Sequence, residues 1–380
     1  FVIVFAGDRW YSRKLWGILF LVATIIACMA LFDGFTLPIT GQVAIYCGLL
    51  FCLCMVCHGE LVRLKPHPRY LTSFYLLMSA GGALGGAFGS LPAPIIFVGF
   101  WELHISLWVA WALFVLVILQ TKSSWVNQPG MAALKKAMVG MLVLMATILY
   151  GHTRYANDDT LYCERSFYGV LRVRSEGQWT EDGEAYHLFH GATVHGFQYL
   201  AADRRHKPVS YYGPDSGIAL ALTEYPKWLK ESAQERPMRV GVVGLGVGTL
   251  AAFANDGDYY RFYEINPSVI ALSRGPGAYF SYLKDSAASV EIIDGDARIS
   301  LEHELLSGGP QQFDVLAIDA FCSDAITAHL LTHEAIKLYM KHLTPEGVLV
   351  LHISNRLLDL RPVVAGLAEE EGLISRVVDA

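Results

Sequence analysis

Residues 238–319 read as strand, glycine loop, helix, strand ending in an acid, helix, strand ending in Asp-Gly-Asp, helix, and a fourth strand ending in Asp. The run Arg239 to Gly244 (RVGVVG) is too short for a helix and apolar enough for a strand buried on both faces. The loop Gly244-Leu-Gly246-Val-Gly248-Thr then predicts a helix over Leu250 to Asn255. Its glycines let backbone N–H groups approach a ligand closely, and a helix N-terminus favours electron-rich groups. Glu264 closes the second strand twenty residues after Gly244, about the spacing at which a carboxylate reaches ribose hydroxyls in a nucleotide-binding βαβ unit. Asp294 and Asp296 close the third strand and Asp319 the fourth. Ligands of open α/β sheets sit at the carboxyl ends of strands, so these four acids are expected around one crevice.

A glycine triplet alone also marks a plain tight turn, but here four strand ends agree with it. The loop GLGVGT lacks the small last residue of a dinucleotide fingerprint, and an acid at the end of the third strand is extra to that fingerprint. The pattern favours a thioether nucleoside of the S-adenosyl type over a nicotinamide cofactor.

The 53% hydrophobic content is not spread evenly over the 380 residues; the excess lies before residue 151. Leu15 to Phe32, Leu37 to Cys57, Tyr70 to Gly89, Pro94 to Gln120 and Ala137 to Tyr150 are five apolar runs, and about 20 apolar residues cross a bilayer. The fourth run has room for one tilted span, or for a re-entrant piece plus a span. Small residues from Ser79 to Gly89 predict close helix packing within the third. Cys54-Met-Val-Cys57-His58 matches the spacing of covalent haem attachment but ends an apolar run, so packed free thiols are the better reading. Basic residues flank the first, second and fourth runs, and these loops are the cytoplasmic candidates. Five spans would put the remainder outside, whereas a nucleoside made in the cytosol places it inside; we expect a cytoplasmic soluble part. The chain starts apolar without Met and stops before a doubly wound sheet would finish, so both ends are expected to be incomplete.

The soluble part begins with Arg165 to Arg174, which alternates as a half-buried strand, followed by the polar turn Gly177 to Gly183 and a hairpin partner, Ala185 to His190. His187 and His190 fall on opposite faces of that strand, so no metal is expected. Tyr211 and Tyr212 precede a helix over Ile218 to Lys230, and Ile374 to Val378 predicts a last strand. The fold class is thus an α-helical transmembrane bundle (1–150), a small β-hairpin domain with a helix (160–230), and an α/β doubly wound, Rossmann-like nucleoside-binding domain (237–380). The net charge of −6 without a basic stripe excludes a nucleic-acid surface.

The segments YGVLRV, HG…Q, PVSYYG, VVGLGVGTL, YEINPSVI, DGDAR and FDVLAIDAF together resemble spermidine synthases. More closely, the chain is similar to bacterial membrane proteins in which a transmembrane bundle is fused to a spermidine-synthase-like domain; FYLLMSAGGALGG and AFCSDAITAHLLTHEA carry that likeness. The resemblance implies an aminopropyltransferase, with decarboxylated S-adenosylmethionine or S-adenosylmethionine as co-substrate and no metal. It implies that Gly244, Gly246 and Gly248 hold the amino-acid end of the nucleoside and Glu264 its ribose. Asp296, with Asp294 beside it, would hold adenine, and Gln198 would contact the nucleoside. Asp319 would deprotonate the attacking amine, Tyr212 or its neighbour Tyr211 would place it, and Asp324 would stand for the second acid of the substrate loop. The partners implied are the lipid bilayer and a small-molecule amine, with a homodimer left open.

Three positions depart from the family pattern. Val247 stands where the family's glycine loop carries an acid, Asp324 is displaced by two positions, and the diamine-binding acid of a Tyr-His-Glu segment is replaced within Tyr212-Gly-Pro. Two other readings therefore stay open: a methyltransferase using intact S-adenosylmethionine, and a non-catalytic nucleoside- or polyamine-responsive domain of a transporter.

Overall fold

The computed structural model describes all residues except 1, 6–9, 34–36, 123, 179, 181–182, 192, 232–235, 321–326, 356–357 and 380. Two compact units result, Phe1–Asp158 and Asp159–Ala380.

The first unit is helical: α1 (Arg13–Asp33), α2 (Ile39–Arg63), α3 (Leu71–Ser90), α4 (Glu102–Gln120) and α5 (Ala132–Ala156). Among the described residues five helical segments are long and apolar enough to cross a membrane. The fourth apolar run divides: Pro92–Ile96 forms a short helical turn after α3, and only Glu102 begins the next long helix. Pro92 and Pro94 cannot donate to a helix ladder, so the break falls there. Phe20 stacks on Trp111 with centroids 4.5 Å apart, and the Trp111 indole N–H donates to the Thr24 hydroxyl at 2.9 Å. Arg13 and Glu60 pair in a buried ion pair that the Tyr11 hydroxyl joins at 2.6 Å. The expected close packing of the third run is not found: a Cβ added at Gly81, Gly82, Gly85, Gly86 or Gly89 meets nothing within 4 Å. No described helix lies against that face. Cys54 and Cys57 are free thiols within α2.

The second unit holds two sheets. β1 (Thr160–Ser166), β2 (Gly169–Glu176), β3 (Ala185–His190) and β4 (Thr193–Tyr199) form an antiparallel meander in the order β1-β2-β3-β4. The expected single strand over Arg165 to Arg174 is thus two strands: Phe167 and Tyr168 turn the chain, and Gly169 follows at φ +123°. β3 and β4 carry a bulge, because Leu188 pairs with Gly196 while Phe189 pairs with Val194, leaving His195 as the extra residue. After α6 (Gly217–Glu231) the chain enters a five-stranded parallel sheet.

That sheet contains β5 (Arg239–Val243), β6 (Tyr259–Glu264), β7 (Ser289–Asp294), β8 (Phe313–Ile318) and β9 (Leu343–Leu351), in the order β7-β6-β5-β8-β9. β8 is buried along its whole length, its apolar residues in the core and its one acid, Asp314, paired with Arg236. Around the sheet lie α7 (Pro267–Ser273), α8 (Ala297–Ser307), α9 (His333–His342) and α10 (Arg361–Glu370). Strand order reverses between β5 and β8, which puts the topological switch point of a doubly wound sheet there.

Two elements differ from expectation. The helix over Leu250 to Asn255 is only a 3₁₀ turn, Thr249–Phe253. β6 begins at Tyr259, and Asp258 spends its carboxylate on the N–H groups of Met238 and Asn255, so a turn consumes the residues that a second helical turn would need. The expected strand over Ile374 to Val378 is irregular, with Val378 resting against Gly217 and Ile374 exposed.

Candidate active site at the switch point

The glycine loop after β5 follows from steric need. Gly244, Gly246 and Gly248 all have positive φ, at +98°, +53° and +82°. A Cβ on Gly244 would stand 2.3 Å from the Asp319 carbonyl, so the loop can cross the end of β8 only with glycine there. Gly246 approaches the His195 carbonyl in the same way, at 3.0 Å, bringing the bulge of β4 against the loop. Bulges commonly re-aim a side chain beside a site, and His195 is so placed.

A cavity of about 250 Å³ lies over this crossing, and Gly244, Gly246, Glu264, Asp296, Asp319, Tyr211 and Tyr212 all line it. Glu264 is buried and takes two backbone N–H groups, from Leu245 at 3.0 Å and from Asn266 at 2.8 Å. Burial pushes its carboxyl above the usual range, and those N–H groups work against the shift. Asp296 caps α8 through the Ile299 N–H at 3.0 Å, and its second oxygen meets the His329 imidazole at 3.0 Å. Asp319 accepts a hydrogen bond from the Tyr212 hydroxyl, which lies 3.4 Å from the hydroxyl of Tyr211. Burial raises the Asp319 carboxyl above its ordinary value, opposed by the nearby His352 and the two tyrosines. It also holds both phenols above theirs, so they stay protonated donors.

Three expected site residues lie elsewhere, and a fourth is not described. Gly248 does not line the cavity; it packs against Leu283 and starts the 3₁₀ turn. Asp294 is exposed at the end of β7. Gln198 is buried with its amide committed, donating to the Arg205 carbonyl at 2.8 Å and the Ser281 hydroxyl at 3.0 Å and accepting from the Ser281 N–H at 2.8 Å. It borders a second, open groove and not this cavity, so its observed work is to tie β4 to the Tyr282–Asp285 turn. Asp324 lies outside the described residues. Among the described residues no group of three or more His, Cys, Asp and Glu side chains could hold a metal.

The cavity also gathers residues that the sequence reading left aside. Tyr168, His190 and His195 come from the small sheet, Asn266 from the end of β6, and His329 from the segment before α9. Burial pushes the His195 imidazole down to about 4, helped by His190 beside it, and its Nε2 has no partner among the described residues. His352, just past β9, could have been found by the strand-end rule that picked out the acids. Val247, the uncharged position of the loop, is 1% exposed and packs against Gly196. Its side chain belongs to the core between loop and bulge.

No family model matches the chain. A polyamine aminopropyltransferase of Vibrio vulnificus (strain CMCP6) is 28% identical to it over 118 residues, 30% of this chain and 37% of that protein. The aligned stretch thus spans little more than a third of that relative. Among solved structures, a probable spermidine synthase from Corynebacterium glutamicum ATCC 13032 is similar at 18% identity and a TM-score of 0.33, over 50% of this chain and 62% of that one. The chain is therefore distantly similar in sequence to a polyamine aminopropyltransferase.

Proposed function

We propose that this chain is a membrane-anchored transferase of the spermidine-synthase type. It binds decarboxylated S-adenosylmethionine in the switch-point cavity and moves the propylamine group to a small amine. The observation that carries this reading is Asp319: a carboxylate at the end of a buried strand, under a glycine loop, hydrogen-bonded by a tyrosine, in one cavity with Glu264 and Asp296. The distant likeness to a polyamine aminopropyltransferase supports it.

A primary amine is protonated near neutrality and is then no nucleophile. Asp319 attracts the ammonium, orients it through its hydrogen bond with Tyr212, and takes the proton. The amine nitrogen forms a bond to the propyl carbon as the carbon–sulfur bond breaks. The electron pair of that bond goes to sulfur, which leaves as neutral methylthioadenosine and needs no acid. Glu264 is placed for the ribose and Asp296 for the adenine end. The soluble unit lies on the cytoplasmic side in this reading, where the nucleoside is made.

Methyl transfer from intact S-adenosylmethionine is the second reading, favoured by one observation: the loop position Val247 brings no acid to meet a cationic propylamine. Calorimetric titration of the full chain in detergent with decarboxylated S-adenosylmethionine, S-adenosylmethionine and methylthioadenosine separates the two. Preference for the decarboxylated form is the expected result. Preference for the intact form moves the assignment to methyl transfer, and binding of none removes both.

A further inference from the structure

β8 and β9 are parallel neighbours with Ile318 matched to Leu351, and the His352 N–H donates to the Ile318 carbonyl at 2.9 Å. One residue beyond that pair, Asp319 and His352 leave the sheet edge side by side. Matched positions of parallel strands present their side chains on the same face. Tyr211 closes the group, with its ring centroid 4.6 Å from that of the His352 imidazole and its hydroxyl beside that of Tyr212.

Among the described residues, the titratable groups facing Asp319 are the phenols of Tyr211 and Tyr212 and the imidazole of His352. The glycine loop brings none. The other titratable groups lining the cavity are Glu264, held by backbone N–H groups, Asp296, paired with His329, His190 and His195 of the small sheet, and the phenols of Tyr168 and Tyr263. The phenols donate hydrogen bonds but carry no positive charge. Of the three groups facing Asp319, only His352 can.

Building on the aminopropyl-transfer reading, we propose that His352 is a positioning residue whose imidazole, acting across the sheet edge, keeps Asp319 in the ionised form that receives the amine's proton. An unpaired buried carboxylate would hold its own proton and could not accept another. Burial drives Asp319 in that direction, and the positive charge of His352 is the largest influence against it. Removing that charge raises the Asp319 midpoint. An opposite charge at such range is worth about one pH unit or more.

The test reads Asp319 directly, by infrared titration of its carboxyl band in the full chain in detergent. Each spectrum is taken less that of the corresponding Asp319→Asn variant. In His352→Gln the midpoint moves up by about one pH unit, while His352→Lys, which keeps a positive charge, stays near the wild-type value. An unchanged midpoint in His352→Gln overturns the proposal, as does an equal upward shift in His352→Lys. His352→Asn is the second neutral variant if Gln disturbs folding. The acid limb of methylthioadenosine release, with putrescine as the probe amine, moves in parallel with the infrared midpoint. If the chain binds none of the three nucleosides, the transferase reading fails while the infrared result still decides the electrostatic role of His352.

Discussion

Glu264 and Asp319 close β6 and β8, the strands on either side of β5 in the same parallel sheet; they line the same cavity and are both pushed up by burial. They are held in different ways. Glu264 is fastened by two backbone N–H groups and fastens the glycine loop in return, so its work is done before any ligand arrives. Among the described residues the Asp319 carboxylate is held by side chains, the Tyr212 hydroxyl first, and those partners can rotate or be displaced. A carboxylate fixed by backbone serves as a scaffold with an acceptor edge; one fixed by side chains can change protonation during a reaction. Within one crevice the sheet thus holds one carboxylate by backbone and another by side chains.

The largest effect expected is from Val247→Asp, which would restore the family's loop acid. Because this position faces the core against Gly196, the charge is buried without a partner. Chemical denaturation should show a loss on the order of 3 kcal/mol or more. A gain in affinity for decarboxylated S-adenosylmethionine without that loss would break the contrast between scaffold and site. Gly244→Ala drives a methyl group into the Asp319 carbonyl, and a cost of about 2–3 kcal/mol in stability together with lost nucleoside binding is expected. An alanine variant that binds normally would mean the loop is not what positions Asp319. Tyr212→Phe removes a donor that lowers the Asp319 midpoint, so the acid limb of activity should move to higher pH and the rate near neutrality fall about tenfold. Nucleoside affinity should hold.

A smaller effect concerns the small sheet. His195 is depressed to about 4, so its contribution to stability is present above its unfolded value near 6.5 and is lost as pH falls through about 4. His195→Gln should flatten thermal stability between those limits, and a profile as steep as wild type would contradict the burial argument.

The parallel sheet is legible in the sequence because its strands are short, largely apolar runs, three of which end in acids. Gly244, Glu264, Asp296 and Asp319 can be placed at the cavity from that pattern alone, whereas Asp294 points away from it. What escaped was local geometry. The sharp turn at Phe167 and Tyr168 looked like a continuing strand because the alternation carries through it. Gln198 is tied to the nucleoside only through the resemblance of the HG…Q segment, whereas in the structure its amide holds Ser281. His329 reaches the cavity from a segment more than thirty residues beyond Asp296, the acid it approaches, and spacing within one motif carries no signal of that. The glycine-rich run of α3 was read as a packing face, yet no described helix lies within 4 Å of its glycine positions. Composition states that close approach is allowed and not that a partner is present.

The most direct test of the account is methylthioadenosine release from decarboxylated S-adenosylmethionine, with a panel of primary amines, by the full chain and its Asp319→Asn variant. The account predicts that the variant still binds methylthioadenosine while release falls about 10²–10⁴-fold, the range for removing a positioned base. Release by Asp319→Asn at the wild-type rate would contradict it.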